Sequence, residues 1–214
     1  MPNFKSQLGA ACLLLWALGS LPPAAATTLM TLSVDELIDQ AELVFEGKVL
    51  AVQAVEDSAG QISSYVTFAV LELIKGDYSG ESLELKFLGG TANGHTMEVS
   101  GLRRPELHET GIYFVESLSE ELINPLLGWS QGHYLVQSDS DGVARVTTAG
   151  NQPVMAVQAM QQVPALLRKP ADTVEGEIDA AQGIVTDDDR DMHEALTVEQ
   201  FKSRIRTLGG NPLP

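Results

Sequence analysis

The side chains best suited to proton transfer or metal ligation near neutral pH are four histidines, His95, His108, His133 and His193. No two of them stand at i, i+4 and there is no H-E-x-x-H, so the sequence lacks the helical zinc-protease arrangement. His108-Glu109 and His193-Glu194 are adjacent pairs, and neighbours point to different sides of a regular element. An enzymatic reading, a metal-assisted hydrolase, would have to gather His95, His108 and His133 through folding. No G-x-S-x-G or S-x-x-K supplies a nucleophile. The glycine-rich run Gly89-Gly90-Thr91-Ala92-Asn93-Gly94 lacks the lysine of a phosphate cradle and reads as a flexible loop.

Two acidic stretches call for a calcium test. Asp187-x-Asp189-x-Asp191 begins like an EF-hand loop, but Met192 stands where glycine is needed and Val198 where glutamate is needed. Asp139-x-Asp141-Gly142 lacks a first and a closing ligand and reads as a hairpin turn. We therefore expect no metal and no other cofactor. The most distinctive polar and aromatic segment is Gly128 to Tyr134. Its Trp129, Gln131, His133 and Tyr134, with Asn93 and His95 from the glycine-rich run, are the candidate binding residues. The competing reading places Trp129 as an apolar plug at one end of a barrel. Arg103-Arg104-Pro105 is a small basic island beside Glu106 and Glu109, and such pairs contribute little when exposed.

The whole chain sets the background for these residues. Its 214 residues are 44% hydrophobic and 20% charged, a globular composition. The net charge of -16 argues against nucleic acid and against an anionic membrane surface. Residues 1–26 read as a signal peptide: Lys5, the apolar run Leu8 to Leu18, then Ala24-Ala25-Ala26 after Pro22-Pro23. That run is too short for a stable membrane span. The expected destination is the periplasm or the exterior. Cys12, the one cysteine, would leave with the peptide, so neither disulfides nor thiol chemistry is expected.

Strands dominate the elements that must position the candidates. Ala41–Val55, Ser64–Ile74, Ser82–Phe87, His95–Val99, Gly111–Glu116, Gly132–Gln137 and Val143–Thr147 carry strand patterns, with Asp141-Gly142 marking a hairpin. Gly47 within the first suggests a bulge or a close approach. Pro153–Leu167 reads as a strand followed by a short helix broken at Pro164. Ser33 with Glu36, and Thr197 with Gln200, are capping boxes that open two short helices. Lys202, Arg204 and Arg206 suit the negative end of the second. The expected organisation is a signal peptide over 1–26, a β-barrel domain over 27–167, an acidic linker over 168–194, and a C-terminal helix and tail over 195–214.

Three phrases carry a resemblance: Ala41-Glu42-Leu43-Val44-Phe45-Glu46-Gly47-Lys48-Val49, then Leu71-Glu72-Leu73-Ile74-Lys75-Gly76, then Glu109-Thr110-Gly111-Ile112-Tyr113-Phe114-Val115. Over residues 42–136 the order resembles the netrin-like module, the OB-type barrel of tissue inhibitors of metalloproteinases, and exported bacterial proteins with the same pattern. The resemblance implies a small closed five-stranded antiparallel barrel with a binding role, often toward a protein or a protease. The animal inhibitors chelate the protease zinc through an N-terminal cysteine. The expected mature start here is Thr27, so that mechanism and its residues are not carried over. The expectation is a mainly β, exported, non-catalytic binding module for a protein or ligand. A third alternative is an envelope assembly protein that docks through its C-terminal helix.

Overall fold

The computed structural model describes residues 31–160, 179–187 and 191–210. The expected signal peptide and the helix expected around Pro164 lie outside them. Helix α1 (Val34–Gln40) begins at Ser33, whose side chain accepts from the Glu36 amide while Glu36 reaches back to the Ser33 amide. Both halves of the capping box are present, as the sequence implies. Strands β1 (Leu43–Glu56), β2 (Ile62–Lys75) and β3 (Ser82–Leu88) follow, then β4 (Gly90–Ala92) and β5 (His95–Met97). Next come β6 (Thr110–Val115), a 3-10 turn (Trp129–Gly132), β7 (His133–Ser138) and β8 (Ala144–Thr148). Strands β9 (Val154–Val157) and β10 (Ile184–Thr186), a 3-10 turn (Met192–Glu194) and helix α2 (Val198–Leu208) complete the order.

Six strands form one antiparallel sheet in the order β3-β2-β1-β6-β7-β8. The fold is mainly β; among the described residues no sheet closes on itself, and the sheet is open where the sequence reading expected a closed barrel. The physical reason lies in residues 116–127. They run between the outer strand β3 and the inner strand β6 without becoming a strand. The Leu88 amide donates to the Ile123 carbonyl at 2.8 Å, and the Glu116 amide to the Pro125 carbonyl at 2.8 Å. Asn124 and Pro125 in that segment, with Glu120 and Glu121 before them, do not favour a strand.

Alternate side chains of the central strands are buried on opposite faces. Val44, Ile112, Phe114 and Tyr134 pack under α1 and α2 with Leu37, Phe201 and Ile205. Leu43, Phe45, Val49 and Tyr113 face the other way, onto Val66, Phe68, Leu85, Phe87 and Leu126. The phrases of the resemblance have local causes. Lys75 donates to the carbonyls of Ile38, Asp39 and Ala41 and so supplies the cation that the C-terminal end of α1 lacks in its own last turn. Gly76 follows with φ 94°, where a Cβ would sit 2.4 Å from the Glu42 carbonyl oxygen. Gly47 does mark both a bulge and a close approach: the register to β2 shifts beside it, and the Phe45 ring lies across it.

The glycine-rich run is not a loop. Asn93 (φ 52°) and Gly94 (φ 82°) form the two-residue turn of the β4–β5 hairpin. Asn-Gly is the pair that a turn with two positive φ angles selects. The stretch expected to be a solvated acidic linker is structured in part. β10 pairs with β9, the Val34 amide donates to Gln182, and Ala181 is buried. Asp179 accepts from Thr148 and from the Gly150 amide, and His193 sits 3.2 Å from the buried carboxylate of Asp139. Apolar Ala181 and Ile184 between the acids pack against the core and favour this pairing. Helix α2 is capped by Thr197 and Gln200, ends at Gly209, and lays its apolar stripe on the sheet of its own chain.

Candidate functional site

The six candidate residues divide into two groups. Asn93 and His95 sit at the turn of the β4–β5 hairpin, which folds over the outer end of β1 and β2. Asn93 donates to Glu56 at 3.1 Å, and His95 Nδ1 lies 3.0 Å from the same carboxylate. Those hydrogen bonds, first that of His95, hold the Glu56 carboxyl below its usual range. The His95 side chain is otherwise largely exposed.

Trp129, Gln131, His133 and Tyr134 lie at the other group of elements, between β6 and β7. Trp129 is half-buried and has φ 60° in its 3-10 turn; it does not close a barrel end. Gln131 is fully buried, accepts from the Leu32 amide at 2.8 Å and donates to the Gly128 carbonyl at 3.2 Å. Tyr134 packs among Phe114 and Phe201, with ring centroids 5.9 and 5.0 Å away, and burial pushes its phenol up. These side chains support the core rather than face solvent.

His133 is the centre of a polar cluster that crosses three segments. Its Nε2 lies 2.7 Å from Glu109 Oε1, and both side chains are nearly or fully out of water. Tyr113 donates to the same oxygen at 3.0 Å, and Arg103 Nη2 lies 2.8 Å from Oε2. Arg103 Nη1 is also 3.2 Å from His133 Nε2, a distance at which two donors would repel. With Glu109 ionised, the consistent assignment puts a proton on Nε2 that is donated to Glu109, while Arg103 is satisfied by the carboxylate. His133 Nδ1 is then a buried nitrogen without a partner among the described residues. Protonating it would create an unsatisfied buried donor, in keeping with burial holding the imidazole below its ordinary value. Burial works to raise the Glu109 carboxyl, but the hydrogen bond from His133 and the Arg103 guanidinium outweigh it and lower it. Burial pushes the Tyr113 phenol up, and the Glu109 charge adds to this.

Sequence reasoning named His133 but missed Glu109 and Tyr113. A readable signal existed. Glu109, Gly111 and Tyr113 share one parity, and with no Cβ on Gly111 the Tyr113 ring can lie back across it toward Glu109. The pairing of Gly111 with Gly47, and of Tyr113 with Phe45, repeats the device on the adjacent strand. The basic island does meet Glu109, one of the two acids it stands beside in sequence, and the pair is largely shielded. The cluster pins the segment before β6 to the sheet. Neither the cavity of about 530 Å³ beside β9 and α2 nor that of about 300 Å³ beside β3 is lined by any of its members.

The three imidazoles of the hydrolase alternative are not gathered: His95 is on Glu56, His108 is exposed on the approach to β6, and His133 is inside. Among the described residues, the one group of three carboxylate or imidazole ligand atoms within 4.8 Å of one another is Glu46, Glu72 and Glu199. A metal is not needed to hold it together, because the Lys202 ammonium already does. Its Nζ is 2.8 Å from Glu46 and 2.6 Å from Glu199, and it also donates to Glu72, which Arg206 contacts as well. Burial works to lower Lys202, but its three carboxylate partners raise it above its ordinary value.

The last notable surface is the outer half of β1. β6 accompanies β1 only as far as Lys48, opposite Thr110, and the His108 amide donates to the Val49 carbonyl just beyond. From Ala51 to Glu56, β1 has a ladder partner on its β2 side alone among the described residues, and Leu50 is the extra residue at a register shift between Val49 and Ala51. Leu50, Val52 and Val55 are 51%, 42% and 44% exposed, and Leu107, next to His108, is 53% exposed.

Comparison with protein-family models, with curated proteins and with solved structures finds no match to the chain. Among the described residues no helix is long and apolar enough to cross a membrane.

Proposed function

We propose that this chain is an exported, non-catalytic binding module for a protein partner, a variant of the netrin-like, OB-type architecture left open on one side. The observation that carries the reading is the set of exposed apolar side chains Leu50, Val52, Val55 and Leu107 along one strand margin. Exposed apolar side chains gathered along one strand margin, in a chain of net charge -16, are what a protein-binding surface requires. The polar groups best able to do chemistry support the same reading, since His133, Glu109 and Tyr113 are turned inward and occupied with one another. The resemblance of the sequence to a family of binding modules agrees with it, and the signal-like residues 1–26 favour the periplasm or exterior as the place of work.

The test is capture of a partner from an envelope or culture-supernatant fraction by the chain lacking residues 1–26, with chemical cross-linking and identification of the linked residues. Cross-links from a partner to residues next to Leu50, Val52 or Leu107 support the reading. Turnover of a broad hydrolase substrate panel by the pure chain, with no cross-linked partner, overturns it.

A further inference from the structure

The outer half of β1 presents more than apolar side chains. Resting on the binding-module reading, we propose that the margin Leu50–Val55 takes up one extended, cationic segment of a partner protein as an added antiparallel or parallel strand. Three observations converge on it. From Ala51 on, the backbone is already extended and held by β2, so its outward amides and carbonyls are set in a row at strand spacing, and the register shift at Leu50 marks where that row begins. The other margins of the six-stranded sheet are guarded. On β8 the Val146 amide donates to the Leu196 carbonyl and Arg145 bridges to Thr197. β3 carries Glu84 and Lys86 and meets Ile123 through Leu88. Charge, proline and covering segments are the usual protections of strand margins, and Leu50–Val55 contains no charge and no proline.

The span sets the size of the occupant. Six residues of strand correspond to roughly 20 Å, so the segment is about six residues long. Leu50 and Val52 ask for apolar side chains at alternate positions on the incoming strand. Acid marks both ends: the exposed Asp57 at one, since Glu56 is taken by Asn93 and His95, and the exposed Glu106, 4.0 Å from Arg103 and beside Leu107, at the other. Lys48 is the one base on β1 and lies on its paired half. Lys or Arg at each end of the partner segment would complement these acids. A second copy of this chain would bring another net charge of -16 to the contact, and repulsion disfavours it.

The probe is a peptide of alternating valine and threonine with two lysines at each end, titrated against the chain lacking residues 1–26; a control peptide carries glutamates in place of the lysines. We expect the cationic peptide to bind at least about tenfold more tightly than the acidic one. We expect the double substitution Leu50→Lys with Val52→Lys to weaken it at least about tenfold, and Leu71→Lys, at an equally exposed position on β2, to leave it unchanged. Hydrogen exchange should slow at amides between Leu50 and Val55 on binding. Equal binding of both peptides, indifference to the double substitution, or protection elsewhere overturns the proposal. So does a wild-type dimer in sedimentation that the double substitution splits, which would make the occupant a second copy. If the peptide fails yet an envelope partner is still cross-linked by the doubly substituted chain, the margin is wrong and the binding-module reading stands. If neither binds, both fall.

Discussion

His133 Nε2 and Glu109 Oε1 are 2.7 Å apart inside the protein, and the second nitrogen of that imidazole meets no partner among the described residues. A neutral ring fits this geometry and a charged one does not. The folded His133 therefore titrates below its ordinary 6.5. As pH falls through 6.5 the unfolded chain takes up this proton first, so stability is present above 6.5 and is lost as pH drops toward the folded value. Glu109, also held below its ordinary 4.5, adds a second loss at still lower pH. Urea midpoints should be level from pH 8 to 7 and fall between 6.5 and 5. His133→Gln, which keeps a donor toward Glu109, should flatten that limb and retain the one below 4.5. Parallel profiles for the two proteins would contradict this account.

Tyr113→Phe tests the same cluster without touching its charges. The phenol donates to the Glu109 oxygen that His133 also uses, and the ring itself packs 4.8 Å from Phe68 and 5.4 Å from Phe45. Removing only the hydroxyl keeps that packing and takes one donor from a shielded carboxylate. The expected loss is about 1.5–2 kcal/mol in denaturant unfolding. A change below about 0.3 kcal/mol would mean that the bond is not made in solution.

Lys202 is expected to behave as a built-in counter-ion. Lys202→Ala leaves Glu46 and Glu199 without their shared cation and Glu72 with Arg206 alone, and should lower stability by about 1–2 kcal/mol, because Glu72 and Glu199 stay open to water. Millimolar calcium should then restore part of the melting temperature of the variant while leaving the wild type unmoved, because the wild-type cage is already filled. An equal calcium response in both proteins would place the ion elsewhere.

Two glycines separate crowding from backbone conformation. A Cβ on Gly111 would stand 2.5 Å from the Tyr134 carbonyl oxygen, which the β6–β7 ladder holds in place. Gly111→Ala should cost about 2–3 kcal/mol. At Gly94 a Cβ would meet nothing within 4 Å, and only the φ of 82° opposes it. Gly94→Ala should cost about 1 kcal/mol. Thermal melts of the two variants that reverse this order would contradict the positions of both backbones.

What could be read in advance depended on how local the cause was. Both capping boxes were legible because Ser33 with Glu36, and Thr197 with Gln200, complete their contacts within one turn. β1, β2, β3, β6, β7 and β8 were legible from alternation, and Gly47 from its place within it. Closure was not legible, since whether β3 meets a strand or a connecting segment depends on how residues 116–127 settle against Leu88. Nor was the role of Lys202, placed by its sequence among cations at a helix end, because Glu46 and Glu72 lie more than a hundred residues away. Asn93-Gly94 was a missed local signal. Within the candidate site, the pairing of Arg103 with Glu109 was legible from their nearness in sequence, but its meeting with His133 and Tyr113 was not, because that needs β6 and β7 to pair.

Helix α2 has a consequence for the order of events during synthesis. Phe201 and Ile205 complete the layer over Val44, Ile112 and Tyr134, and Lys202 neutralises acids on the two longest strands. A growing polypeptide that has not reached about residue 208 would leave that layer wet and those acids unopposed. Maturation would therefore wait for the final helical turns, and nascent chains halted earlier should be prey to proteolysis however complete their strands are.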